Sequence, residues 1–237
     1  MGCGLWSRYF IILVMETLEA PAAKRLGRPL SFDRDKALNA AMLQFWQTGF
    51  ETTSVAELTH AMGITAPSLY TAFGDKESLF LECLEKYANP GPKTTPELIA
   101  EAPSARQAAQ QLLELSARWF TQQDAPAGCL VASSACSGSV DSQRVRAALK
   151  NIRDANRKAL QKRAERDVRE GHLPRTANAQ ALASMTMAIV QGMSTLARDG
   201  LGQKALLDLA RTAMSAWPTD QSMNEFSRGP LEAVPES

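Results

Sequence analysis

The chain has little of what most chemistry requires. Its 237 residues include two histidines and four cysteines, and aromatic residues make up 6% of the whole. The cysteines Cys3, Cys83, Cys129 and Cys136 contain no Cys-x-x-Cys pair, and only His60 and His172 could join them, so the ligand spacing of a structural zinc site is absent. Such sparse usage suits a reducing compartment, and the expected location is the cytoplasm. No glycine-rich phosphate loop and no paired-carboxylate motif occurs. No catalytic residue, metal ligand or cofactor is therefore assigned, and the chain is not expected to be an enzyme. Charge of one sign is also lacking: 26 lysines and arginines against 25 aspartates and glutamates leave a formal net charge of +1, not the strongly basic balance of a bulk nucleic-acid binder. No apolar run reaches the about 20 residues needed to span a bilayer, so no membrane partner is expected. The longest candidate, Tyr9 to Met15 behind Arg8, has the outline of a secretory signal with Ala20-Pro21-Ala22-Ala23 as a cleavage region, but Glu16 and Glu19 interrupt it. The simpler expectation is a start at Met15, with the first fourteen residues an over-extended reading frame or a floppy tail.

What the sequence does have is helical periodicity and a pair of short helices around a glycine. Thr53 or Ser54 can cap the first helix, with Glu57 three residues after Ser54 to complete a capping box, and Val55, Leu58 and Met62 then share one face. Gly63 stands where the helix must end in a left-handed residue, and Ile64 follows as a buried plug. Thr65 can cap a second helix, in whose first turn Pro67 costs nothing because its missing N–H has no intrahelical partner there. Leu69 and Phe73 face inward, which leaves Ala66, Pro67, Ser68, Tyr70 and Thr71 on an outward edge that is short, small and polar. Such an edge suits a helix whose N-terminal end enters a major groove about 12 Å wide. Just upstream, Lys24-Arg25-Leu26-Gly27-Arg28-Pro29 is a cationic arm free of acids, suited to phosphates or the minor groove.

The pattern resembles the TetR family of bacterial transcriptional regulators. The resemblance is carried by Gly49-Phe50, Thr52-Thr53, Gly63-Ile64-Thr65, Ser68-Leu69-Tyr70 and Phe73-Gly74-Asp75-Lys76-Glu77-Ser78-Leu79, and it covers roughly residues 31 to 85. It implies an all-α fold: an N-terminal three-helix helix-turn-helix domain plus a larger C-terminal helical domain that dimerises and binds a small molecule. It implies a homodimer, a double-stranded operator and an effector as partners. It places phosphate contacts on Thr53, Tyr70, Thr71 and Lys76, and groove contacts on Thr65, Ala66, Pro67 and Ser68; Arg28 of the arm joins them. Ala66-Pro67 departs from the cation and glycine more common at that place, so few direct base hydrogen bonds are expected.

The remaining chain reads as helix throughout. Residues 1–30 form an extension and arm, 31–88 the DNA-binding domain with its connecting helix, 89–217 the effector and dimerisation domain, and 218–237 a polar tail expected to be disordered. Asp33 to Thr48 is the first helix, and Asp75 caps a fourth that runs to Ala88, where Asn89-Pro90-Gly91-Pro92 breaks the chain. Ser104 to Gln122 follows, with Leu112, Leu115, Trp119 and Phe120 on its apolar side. A long helix from Asp141 to Glu170 carries an inner stripe of Val145, Leu149, Ile152, Ala155 and Ala159, and an outer, solvated face of cations that includes Arg153 and Arg163. In the last hairpin, Leu182, Met185, Ile189, Gly192, Leu196, Leu209 and Ala213 are the expected dimer face, through a four-helix bundle. The expected ligand-binding residues are Trp119, Phe120, Cys129, Met185 and Met193, with Met187 beside them. Cys129, in Gly128-Cys129-Leu130 where a helix can begin, is the candidate sensor thiol, since the resemblance implies thiol sensing in some relatives. The alternative class is a helical thiol-based redox protein or enzyme that uses Cys129 with His172.

Overall fold

The structure, a computed structural model, describes residues 32–89, 91–136 and 142–218. Arg28 with the cationic arm, the apolar run and the C-terminal tail lie outside the described residues, as do the side chains of Ala135 and Cys136. Within them are ten helices and no strand. These are α1 (Arg34–Thr48), α2 (Val55–Met62), α3 (Ala66–Phe73), α4 (Lys76–Ala88), α5 (Thr95–Glu101), α6 (Ala105–Trp119), α7 (Leu130–Cys136), α8 (Gln143–Glu170), α9 (Ala179–Arg198) and α10 (Gln203–Met214). No helix among them is long and apolar enough to cross a membrane.

Local chemistry sets the helix starts. Asp33, Ser54, Thr65 and Asp75 each accept a backbone N–H in the first turn of α1 to α4, which satisfies donors that the helix itself leaves open. Two cores then form. The first packs α1 to α4 around Phe45, Trp46, Leu58, Leu69, Leu79 and Phe80, and it continues past Asn89 into Leu130 and Val131 of α7 and Val145 and Leu149 of α8. The connecting helix and the front of α8 therefore share the reading head's core. The second core lies between α5, α6, α9, α10 and the back of α8, and is rich in alanine: Ala105, Ala109, Ala117, Ala164, Ala183 and Ala210 are all buried.

Three expectations are corrected here. The helix α5 falls where only a break was expected, started by Thr94 and Glu97, whose carboxylate accepts from the Thr94 N–H at 2.6 Å. In α6 the buried side is Ala108, Ala109, Leu113 and Ala117, while Leu112 and Leu115 are half-buried. In α8 the inward stripe does not run through Ala155, which is exposed; it swings to Leu160, Arg163, Ala164 and Asp167. Arg163 is thus buried, not part of the solvated face. It pairs with Asp167, donates to the carbonyls of Ala102 (3.0 Å) and Pro103 (2.6 Å), and Asp167 accepts the N–H of Ala105 at 2.6 Å. The pair closes the end of α5 and the start of α6, so the penalty for burying two charges is met by hydrogen bonds on both sides.

Candidate nucleic-acid interface and interior cavity

In the head, α2 and α3 form the helix-turn-helix. Ser54 and Glu57 make the reciprocal capping box: Glu57 accepts from the Ser54 N–H at 2.7 Å, and Ser54 Oγ accepts the Glu57 N–H at 3.1 Å. These bonds hold the Glu57 carboxyl below the ordinary carboxylate range. Gly63 adopts φ 64°, ψ 33°, and open space surrounds the position of a Cβ, so the requirement for glycine there is purely conformational. Thr65 Oγ1 accepts the Ser68 N–H and lies 2.9 Å from Ser68 Oγ.

Leu69 and Phe73 are buried, and this rotates the opposite side of α3 outward. Thr65, Pro67, Tyr70 and Thr71 are exposed, Tyr70 by 51%, and Ala66 and Ser68 are half-buried between them. The presented surface carries methyl groups, hydroxyls and one ring, and no charge. What holds α3 at this angle is a residue sequence reasoning missed. Arg34 reaches from the start of α1 to Glu82 of α4 with two bonds (2.5 and 2.7 Å), donates to the carbonyl of Ala72 at 3.2 Å, and lies 4.4 Å from the centre of the Phe73 ring. A cation in the first turn of a helix opposes the helix dipole, and that mismatch was the available signal.

Two expected phosphate contacts are placed differently. Thr53 is fully buried, and its hydroxyl is taken up by Gly49 O and Thr48 Oγ1 at 2.5 and 2.6 Å; it ties the α1–α2 turn and has no side-chain surface for a phosphate. Lys76 is half-buried, donates to the carbonyl of Glu51 at 3.2 Å and sits 4.7 Å from the centre of the Phe50 ring. Burial lowers its pKa against the pull of Glu51 and Glu57, and its charge is engaged at the same turn.

Behind the head, α4 to α9 enclose a cavity of about 430 Å³. Its walls are largely apolar: Leu98 and Ile99 of α5, Leu112 and Leu115 of α6, Ile152 of α8 and Val190 of α9. Trp119, Phe120 and Cys129 line it as expected, and so does Met187. Met193 does not, being fully buried in the second core, and Met185 lies outside the lining on the half-exposed side of α9; helical spacing alone did not tell which methionine faces inward.

Toward the head the cavity ends in a hydrogen-bonded chain. Trp119 Nε1 donates to the Tyr87 hydroxyl at 3.2 Å, which donates to Cys129 Sγ at 3.4 Å. Trp46 of α1 stacks on Trp119 (6.1 Å between centroids, 23°) and meets Tyr87 edge-on (5.0 Å, 81°). Burial pushes the Cys129 thiol up, although Tyr87, two backbone N–H groups and Arg153 pull the other way, so it remains a thiol at neutral pH. His172 lies beside Asp167 and Glu170 at the end of α8 and does not pair with Cys129, which leaves the thiol-enzyme arrangement unformed.

Gly128 has φ 81°, and a Cβ there would meet Ser194 O at 2.7 Å and Arg198 Cγ at 2.8 Å. The missing side chain lets α9 close on this corner, where Ser194 Oγ accepts the N–H of Cys129 at 2.8 Å. Arg198 then reaches the reading head and donates to the carbonyls of Trp46 and Gln47, both at 3.1 Å, at the end of α1.

The comparisons agree with this geometry. Residues 37–83 match the family described as bacterial regulatory proteins, tetR family, and residues 105–214 the tetracyclin repressor-like C-terminal domain. The HTH-type transcriptional repressor ComR of Escherichia coli (strain K12) is 36% identical over 196 residues, which cover 82% of this chain and 93% of the relative. BdcR of the same organism, also an HTH-type transcriptional repressor, is 36% identical over 105 residues, 44% of this chain and 53% of the relative. Among solved structures, a cysteine-substituted form of the TetR family transcriptional regulator CifR, complexed with 26-bp double-strand operator DNA, is 38% identical and superposes with a TM-score of 0.75, covering 81% of this chain and 100% of that one. A head of four capped helices, a cavity behind it and relatives matched over most of their length lead to one conclusion: the chain belongs to the TetR family of bacterial regulatory proteins.

Proposed function

We propose that two copies of this chain bind a pseudo-palindromic operator as a transcriptional repressor, and that a small molecule in the cavity releases them. The observation that carries the reading is the uncharged, exposed N-terminal side of α3, clamped at its angle by Arg34, in a chain 38% identical to a regulator solved on operator DNA. Each α3 would enter one of two successive major grooves about 34–36 Å apart, with methyl groups of Thr65, Ala66 and Thr71 against thymine and backbone and hydroxyl groups on phosphates.

The hairpin of α9 and α10 supports dimerisation. Leu182, Met185, Ile189, Leu196, Leu209 and Ala213 are all half-buried in the single chain, and between those on α9 runs an exposed strip of small residues, Ser184, Ala188 and Gly192, across which a second helix can approach closely. Release follows from the shared wall. A ligand that moves Trp119 or Tyr87 moves the surface on which Trp46 rests, and Arg198 couples α9 to the end of α1. Effector and operator then favour different spacings of the two heads, with a coupling on the order of 1–3 kcal/mol. Sensing by Cys129 is the second reading of the same wall, favoured by its contact with Tyr87 and opposed by its raised pKa.

Footprinting on the DNA upstream of the chain's own coding sequence tests this. One protected, two-half-site stretch is expected, lost in Ile189→Glu, which places a charge on the half-buried dimer face without touching the head. Protection by a monomeric Ile189→Glu protein that equals wild type would remove the dimer from the account.

A further inference from the structure

Arg153 is the charged feature of the cavity that a purely apolar occupant leaves unexplained. It lies on α8 and lines the cavity, and its Nη1 is buried without a hydrogen-bond partner. Among the described residues, no carboxylate lines the cavity. Between Ser142 and Ala164 the sequence carries eight lysines and arginines and a single acid, Asp154. Asp154 is already taken: it accepts from Lys150 and lies 3.7 Å from Arg157. Cys129 stays a neutral thiol, hydrogen-bonded to Tyr87, and does not offset the charge. A second unpartnered polar atom of the wall, Gln111 Oε1, is an acceptor and offers the guanidinium only a dipole.

A partly buried guanidinium with an unpartnered nitrogen beside a largely apolar space is costly, and an anion that enters is held by charge-assisted, forked hydrogen bonds. Much of the remaining wall, including Leu98, Ile99, Leu112, Leu115 and Val190, is apolar and suits hydrocarbon. We propose that the cavity binds a small amphipathic organic acid, its carboxylate on Arg153 and its apolar body between α5, α6 and α9. The inference rests on the reading of the cavity as the effector site. A carboxylate at Arg153 places the ligand's body against Trp119, the residue that carries Trp46.

The test uses the full chain without DNA, so that its outcome is independent of the operator. Calorimetric titration with benzoate, 4-phenylbutyrate and octanoate, each beside its primary amide, measures the preference for the charged head. At least one acid binds the wild type about tenfold or more tightly than its amide. In Arg153→Gln the acid and the amide bind alike, and in Arg153→Lys a reduced acid preference returns. Far-UV circular dichroism and the ligand-free melting temperature show whether each variant is folded; should Arg153→Gln not fold, the acid-against-amide difference in the wild type and in Arg153→Lys decides. Binding by none of the acids, equal binding of acid and amide to the wild type, or an acid preference that survives in folded Arg153→Gln overturns the proposal. Failure of the footprint with the acid preference intact would overturn the operator reading alone.

Discussion

The reading head and the helices behind it are packed from different side chains. In the head, rings fill the space: Phe45 meets Phe80 edge-on at 4.9 Å, and Phe50 meets Phe80 at 4.8 Å. Each of its four helices begins on a side-chain cap. In the second core alanine is prominent among the buried residues, and the side of α6 that carries Leu112 and Leu115 borders a cavity. The contrast fits two tasks. A surface that must match a groove of fixed width is held by dense contacts, whereas a surface that answers a ligand needs space that a ligand can fill. At the cavity the two meet where Trp46 of the head rests on Trp119 and Tyr87 of the wall, beside the contacts that Arg198 makes with the end of α1.

The comparison is broken most directly by truncation on each side. Phe80→Ala should cost about 3–5 kcal/mol, since it empties the centre of the ring cluster. Leu115→Ala, at the cavity wall, should cost about 1 kcal/mol or less, because its site already borders empty space. Urea unfolding of both variants measures the difference; equal losses would mean that the two cores are packed alike.

Ion pairs sharpen the contrast in the opposite sense. Asp167→Ala leaves Arg163 buried and unpaired and should cost about 3–5 kcal/mol. Glu82→Ala in the head removes the partner of Arg34, but that pair is about one-third exposed, and the loss should be about 1 kcal/mol. Its larger effect should be on DNA affinity, through the angle of α3, and operator titration beside chemical unfolding separates the two.

The smallest effect is that of acid on the caps. Hydrogen bonds from Ser54 and Ser78 hold the carboxyls of Glu57 and Asp75 below their ordinary range. Groups with lowered pKa contribute stability that is fully present above their unfolded values and is lost as pH falls through the folded ones. Melting temperature should therefore hold near neutrality and fall below the ordinary carboxylate range, with a shallower fall in Glu57→Gln. An unchanged acid profile in that variant would separate the capping box from acid stability.

What was legible in the sequence was local. Ser54 with Glu57, Gly63, Thr65 with Pro67, and Asp75 announce helix ends within three or four residues, and the whole reading head follows from them. The residues misread are those whose partners lie far along the chain. Thr53, a phosphate contact by the family resemblance, has its hydroxyl taken up in the α1–α2 turn. Arg163 and Arg153 stood in one run of cations, yet one faces Asp167 and the start of α6 and the other faces the cavity. No periodicity separates them, because the inward side of a helix 28 residues long depends on which neighbour it passes. The helix α5 escaped because seven residues beginning with Thr-Pro carry too few turns for a pattern. Arg198, 152 residues from Trp46, gave no signal of its contact with the reading head.

Sequence-specific binding by the head is the central claim, and a competition titration tests it. Wild-type protein is bound to a labelled fragment from upstream of its own coding sequence at about 0.15 M salt and challenged with unrelated duplex of equal length. The account predicts that the unrelated duplex competes at least about 10³-fold more weakly, with one dimer per fragment and an affinity that falls as salt rises. Equal competition by the two duplexes, or binding that salt does not weaken, would contradict it.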